Sequence, residues 1–188
     1  RNDCREQLAI SLKAKVFITT GRLASIKGWK FLLDSFRLVN IKFPESIIIF
    51  VGEGEDKSKI ITYCKTLIDD GKVWITGYKS PQEVSVYLNA ADVFVLGSFV
   101  EGWPTSIVEA LACGRPIVST DVSGAIEMIN IGLNGYITEN RDSIEFSNLL
   151  IKALSLPCPN HISIKNSLKY SLKNLKADFE KVWLNEIN

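Results

Sequence analysis

Six short apolar runs punctuate the 188 residues: Val16–Thr20, Ile47–Val51, 73–76, Val93–Leu96, 116–119 and Gly135–Thr138. Within them the apolar residues follow one another without polar interruption, most plainly in the IIIFV of Ile47–Val51. A strand with one wet face alternates apolar and polar residues, whereas a strand covered on both faces does not. The segments between the runs carry apolar residues at helical spacing, for example positions 29, 32, 33, 36 and 39, bounded by glycine or proline. Strands alternating with helices over short connections imply parallel strands with helices packed on both sides. The expected fold is therefore α/β: a Rossmann-like, open, mostly parallel six-stranded sheet with helices on both faces, ending in a long C-terminal helix.

Helices are predicted over residues 3–13 (a lead-in), 29–41, 57–68, Pro81–Ala90, the stretch after Pro104, a short segment up to Ile129, and 143–154 with Asp142 as its N-cap. The tail, 167–187, places apolar residues at 168, 172, 175, 179, 182, 183 and 187, with lysines opposite. Such a stripe is expected to dock on the chain's own domain rather than lie on a membrane surface. The division expected is one domain over 1–188: lead-in 1–13, Rossmann-like core 16–155 and helical tail 160–188.

Bulk properties exclude several classes. A formal net charge of +1 does not suit a general nucleic-acid binder. No apolar run approaches the roughly 20 residues of a membrane-spanning helix, and the polar start RNDCREQ is not a signal peptide. Cys4, Cys64, Cys113 and Cys158 have neither close pairing nor metal-ligand spacing, which points to a reducing, cytoplasmic setting and no metal. Because the chain begins without Met, it is expected to be part of a longer one. The G-x-G-x-x-G dinucleotide fingerprint and the Walker A sequence are both missing, and Gly52-Glu53-Gly54 lacks the third glycine. His161, the only histidine, sits beside Pro159, where no catalytic role is expected.

The candidate site lies at the carboxyl edge of the sheet, where open α/β folds hold ligands. Arg22 and Lys27 follow the first strand in the loop GRLASIKG, which begins at Gly21. Between the fourth and fifth strands, Glu101 lies in a loop and Glu109 in a helix, with seven residues between them. Pro104 suits a first helical turn, which would leave the amides around Trp103 and Ser106 facing an anion. Two cations and a helix N-terminus suit a diphosphate. Glu109 would stand roughly 9 Å along the helix axis from Trp103, with its side chain tilted back toward the phosphates, within reach of the vicinal hydroxyls of a ribose. Taken singly, Glu109 also reads as a helix-dipole carboxylate, Glu101 as a solvated loop residue, and Arg22 and Lys27 as surface charges.

The segments GRLASIKG, VGEGED, ITGYKSPQEVSVYLNAADVFVLGS, EGWPTSIVEALACGRPIVSTDVSGAIEMI and NGYI resemble, in this order, the C-terminal domain of GT-B glycosyltransferases of the retaining glycosyltransferase family 4. The resemblance implies a donor-binding half that takes a nucleotide-diphosphate sugar, with no cofactor and no metal. UDP is the expected nucleotide and GDP its rival. It implies that Arg22 and Lys27 hold the diphosphate and stabilise its charge on leaving, and that Glu109 takes the ribose. Glu101 would hold the transferred sugar, with help from the amides of Gly102, Trp103, Pro104-adjacent backbone and Thr105, and backbone near Tyr78 and Lys79 would read the base. Arg22, Lys27 and Glu101 are the residues expected to be catalytic. The acceptor, a glycan or lipid-linked molecule, would need an N-terminal domain that this stretch does not contain, so little turnover is expected from it alone. The resemblance leaves open peripheral association of the full enzyme with the inner face of a membrane. One departure is Gly97 in Leu96-Gly97-Ser98, where many relatives carry proline, which is expected to loosen the loop. Two alternatives share the architecture: a sugar-nucleotide epimerase or phosphorylase-like domain, and a non-catalytic nucleotide-binding module.

Overall fold

In a computed structural model, which describes residues 1–186, six strands form one sheet: β1 (Val16–Thr20), β2 (Ile47–Val51), β3 (Val73–Ile75), β4 (Val93–Leu96), β5 (Ile117–Thr120) and β6 (Gly135–Thr138). Their order across the sheet is β3-β2-β1-β4-β5-β6, and every neighbouring pair is parallel. The order reverses direction between β1 and β4, and the carboxyl edge at such a switch point is where open α/β sheets hold ligands.

Continuous apolar strands make sense of the two cores. Val16 and Ile18 of β1, Ile47 and Ile49 of β2 and Phe94 of β4 point to one face, where α5 (Pro81–Ala90) and α6 (Thr105–Ala112) supply Leu88, Ile107 and Leu111. Phe17, Ile48, Phe50, Val93 and Val95 point to the other, against α2 (Trp29–Lys42) and α8 (Ser143–Ala153) through Leu33, Phe36 and Phe146. Successive residues therefore enter opposite cores, as the two-residue period of a strand requires.

Local signals set several helix starts as read from the chain. Ser80 and Glu83 form a reciprocal capping box at α5 with Pro81 in its first turn, and the Asp142 side chain accepts from the Glu145 amide at α8. Elsewhere tertiary contacts override periodicity. The lead-in α1 (Asn2–Gln7) stops well short of residue 13. Its Arg5 is buried, and it donates to the carbonyls of Ser11, Leu12 and Ala14, drawing the following residues into a turn around the guanidinium. The helix predicted over 57–68 is split into α3 (Lys57–Tyr63) and α4 (Lys65–Asp69). Arg37 donates to the Tyr63 carbonyl at 2.9 Å, an acceptor that an unbroken helix would use itself.

The tail differs most. After the short α7 (Ala125–Met128), α9 (His161–Ser167) packs beside α6, and Asn160, not His161, does the capping work there. His161 is exposed at the first position of α9. The last helix, α10 (Leu172–Glu186), does not bury the predicted stripe: Leu172 is 87% exposed and Phe179 74%. Leu168, Leu175 and Trp183 are exposed as well, and Ile187 lies outside the described residues. Amphipathic spacing reports a face available for burial, but it does not say that a partner surface is within reach. No helix among the described residues is long and apolar enough to cross a membrane.

Candidate functional site

Two loops define the crevice. The first leaves β1 at Gly21 and runs through a 3-10 turn, Ser25–Lys27, into α2. It is fastened to the loop after β2: the Leu23 amide donates to Glu53 O at 2.9 Å, and the Asp56 amide to Leu23 O at 3.0 Å. The glycines of VGEGED permit this contact, since a Cβ on Gly52 would lie 1.9 Å from Gly21 O and one on Gly54 2.3 Å from Leu23 O. Asp56 completes the joint. Its carboxylate is buried and accepts from Lys59, from the Ser25 hydroxyl and from the Trp29 indole at 2.9 Å. Those hydrogen bonds, led by Lys59, hold the Asp56 carboxyl well below the usual carboxylate range.

The second loop leaves β4 at Gly97. Gly28 and Gly97 meet back to back, with a Cβ on Gly28 only 1.9 Å from Gly97 O. Gly97 is itself buried against Leu32, so in this chain it permits close approach of the two loops rather than loosening either. The Phe99 amide donates to Ile26 O at 2.8 Å across the same seam.

These loops bring Lys27 and Glu101 together. Lys27 Nζ lies 2.7 Å from Glu101 Oε1 and 2.9 Å from Oε2, and the Ser98 hydroxyl donates to Oε1 at 2.6 Å. Only 9% of the Glu101 side chain is exposed, so it is no solvated loop residue.

Beside this pair a cleft of about 360 Å³ is lined by Thr20, Gly21, Arg22, Val51, Gly52, Glu53, Tyr78, Lys79, Val84, Thr105, Ser106 and Glu109. Six residues singled out from the sequence thus line one cleft: Gly21, Arg22, Tyr78, Lys79, Thr105 and Glu109. Arg22 is 71% exposed and holds Glu55 at 2.9 Å. Lys79 bonds Glu83 at 3.2 Å, and Tyr78 is exposed at the rim. Glu109 opens into the cleft without losing its protein surroundings, and that partial burial pushes its carboxyl above the ordinary range.

The start of α6 is tighter than the sequence suggests. Pro104 is the buried N-cap residue, preceding the helix rather than opening it, and the Thr105 amide donates back to Trp103 O at 2.9 Å. Gly102 is exposed, and the Trp103 ring stands edge-on to Tyr170 at 5.3 Å, away from the cleft lining. Lys27, Glu101, Gly102, Trp103 and Pro104 therefore flank the cleft and do not line it. Sequence reasoning passed over Thr20, Ser98 and Asp56. Asp56 could have been noticed, because it follows the glycines of VGEGE at the point where a helix begins. Thr20 Oγ1, at the end of β1, is buried and has no hydrogen-bond partner among the described residues, a fact no linear pattern carries.

A doubly covered parallel sheet with charged and glycine-rich loops at its switch point is a doubly wound α/β domain, a fold that holds ligands at this edge. The chain belongs to the family of glycosyl transferases group 1, whose model matches residues 1–170. An uncharacterized glycosyltransferase of Haemophilus influenzae is 29% identical over 174 residues, covering 91% of this chain and 47% of that protein. The UDP-Gal:alpha-D-GlcNAc-diphosphoundecaprenol alpha-1,3-galactosyltransferase of Escherichia coli is 26% identical over 156 residues, covering 81% of this chain and 40% of the relative. Among solved structures, Anabaena HepE in complex with UDP and glucose superposes with a TM-score of 0.82 at 21% identity, over 97% of this chain and 51% of that one. This likeness shows a shared fold. The chain spans about half or less of the length of these relatives.

Proposed function

We propose that this chain is the donor-binding half of a retaining glycosyltransferase that takes a UDP-sugar. The observation that carries the reading is the placement of Glu109 in one cleft with Arg22 and the Gly21 loop, across the N-terminus of α6. The cleft offers a cation and main-chain amides for a diphosphate and a carboxylate for paired hydroxyls. Arg22 and Lys27 bind the diphosphate, Glu109 the ribose, and Glu101 the sugar. The backbone near Tyr78 and Lys79 flanks the base. UDP is favoured over GDP because HepE was captured with UDP and the Escherichia coli relative is named for UDP-Gal.

In the transfer step the bond between the anomeric carbon and the diphosphate oxygen breaks. The acceptor hydroxyl forms the new bond on the same face, and its proton passes to the departing diphosphate oxygen. The role of Arg22 and Lys27 is to stabilise the charge that builds on that oxygen, without a metal. The acceptor, a glycan or a lipid-linked sugar, is held by a further domain of the whole enzyme, so the 188-residue chain binds donor but turns it over little.

Calorimetric titration with UDP, GDP and UDP-glucose tests the reading. UDP should bind, and a ligand at 100 times its Kd should add about 2.7 kcal/mol of stability. Tighter binding of GDP would revise the base. Absence of binding by every nucleotide would overturn the donor-site reading.

A further inference from the structure

Glu101 poses a problem that the donor-site reading leaves open. A carboxylate on a loop after a strand is ordinarily wet, whereas this one is nine-tenths covered and must have its oxygens satisfied from within. Lys27 supplies one bond to each oxygen. Lys27 is also the cation assigned to the diphosphate, so the same ammonium is claimed by two anions.

We infer that Ser98 is the positioning residue that keeps Glu101 aimed at the donor sugar while Lys27 is shared with the diphosphate. The inference rests on the donor-site reading and adds to it a residue that touches neither phosphate nor base.

The Ser98 side chain is fully buried, and its hydroxyl donates to Glu101 Oε1 at 2.6 Å. Its backbone is fixed independently of Lys27. Thr120 Oγ1, at the carboxyl end of β5, donates to Ser98 O at 2.7 Å, and the next residue's amide is bonded to Ile26 O. Ser98 therefore belongs to the sheet and its seam with the first loop. Lys27, by contrast, ends a flexible stem and is 35% exposed.

An ammonium has three protons, and two point at Glu101. The third is available to a phosphate oxygen, which places Lys27 between two anions that would otherwise repel each other. As a phosphate draws the ammonium outward, its two bonds to Glu101 lengthen. The Ser98 hydroxyl is then the contact that keeps Oε1 inward and leaves Oε2 toward the sugar. A neutral, buried donor suits this task, since a second cation would compete with Lys27 for the diphosphate.

The test is calorimetric titration of the chain with UDP, UDP-glucose, UDP-galactose and UDP-N-acetylglucosamine, the tightest UDP-sugar serving as probe. Ser98→Ala should bind UDP within about twofold of wild type and the UDP-sugar about tenfold more weakly, the effect of losing one hydrogen bond to a charged group. In a Glu101→Ala background the same substitution should change UDP-sugar affinity by less than about twofold, because the contact is already gone. A packing role would carry into that background and weaken UDP as well. Equal loss for both ligands, loss retained in the Glu101→Ala background, or no loss at all overturns the inference. Should Ser98→Ala not fold, Ser98→Thr and Ser98→Cys decide: the Thr variant should keep UDP-sugar affinity and the Cys variant lose it, and equal behaviour of the two counts against the idea. Failure of wild type to bind UDP or any of the UDP-sugars refutes the donor site itself, whereas wild-type binding of both, with any of the overturning results for the Ser98 variants, refutes only the role of Ser98.

Discussion

At the amino edge of the sheet, Arg5 and Arg115 are buried and use their guanidinium groups on main-chain carbonyls. Arg5 donates to Ala90 O and Ala14 O, and Arg115 to Cys113 O at 2.8 Å and Ala91 O at 2.7 Å. Both thereby satisfy carbonyls at the end of α5, where the helix dipole favours positive charge. Asp92 completes the arrangement, accepting from Arg1, Arg5 and the Val16 amide. At the carboxyl edge, Arg22 stands mostly in solvent with one carboxylate partner, and Lys27 shares a half-open pair with Glu101. The same residue type closes one edge and is left available at the other. What differs is the number of fixed acceptors around the charge, and that number separates a structural cation from one that can meet a ligand.

The comparison breaks if the amino edge proves dispensable, and that edge carries the largest expected effect. Arg115→Met should cost about 3–5 kcal/mol, because several buried carbonyls lose their donor. Denaturant unfolding measures it, and UDP affinity of the native fraction should be unchanged. A loss below about 1 kcal/mol would mean that the carbonyls find other partners.

Arg22→Ala should do the reverse. Its exposed pair with Glu55 contributes little, so stability should move by less than about 0.5 kcal/mol. UDP affinity should fall by about 10- to 100-fold, the loss of charge-assisted bonds to phosphate. Substantial destabilisation would move Arg22 into the structural class.

Asp56→Asn sharpens the boundary between the two classes, since Asp56 holds the Arg22–Lys27 loop without lining the cleft. The folded Asp56 carboxyl is depressed, so its contribution is fully present above the unfolded pKa, near 4, and is lost as pH falls from there through the folded value. The variant should be less stable than wild type at pH 7, and the gap should narrow by pH 3. A gap independent of pH would locate the effect in packing rather than in charge.

The smallest effect is expected at Glu109. Its folded carboxyl is raised by burial, so stability declines as pH rises from the unfolded value through the folded one. Glu109→Gln should therefore be slightly more stable than wild type at pH 7, a difference that disappears below pH 4. Its UDP affinity should nevertheless be weaker than that of wild type, and should rise less steeply with pH. Thermal unfolding and titrations across pH 4–7 measure both.

Much of this molecule is legible in the chain. Six strands, their parallel arrangement and the α5 and α8 starts follow from uninterrupted apolar runs and from short-range capping at Ser80 and Asp142. Such signals need only neighbours in sequence. The charged residues of the site were also visible as candidates, through their places after β1 and β4. Their partners were not. Lys27 and Glu101 are 74 residues apart, and their meeting depends on β1 lying beside β4 and on Gly28 meeting Gly97. The buried arginines were missed for the same reason, since arginine is usually exposed and only the converging carbonyls of distant segments make its burial favourable. The exposed stripe of α10 shows the opposite error, a local pattern read as a tertiary contact.

By itself, then, the sequence determined a doubly covered parallel sheet and put cations and carboxylates on the loops at one edge of it. Strand burial and helix capping are decided within a few residues of each other, so a linear reading reaches them. Only the tertiary structure decided which charges are consumed and which remain available: that Arg5 and Arg115 close the amino edge, that Glu109 opens into a cleft with Arg22, and that Ser98 stands behind Glu101. An ionised side chain takes its role from the donors and acceptors that fold around it, and those arrive from parts of the chain that share no local pattern.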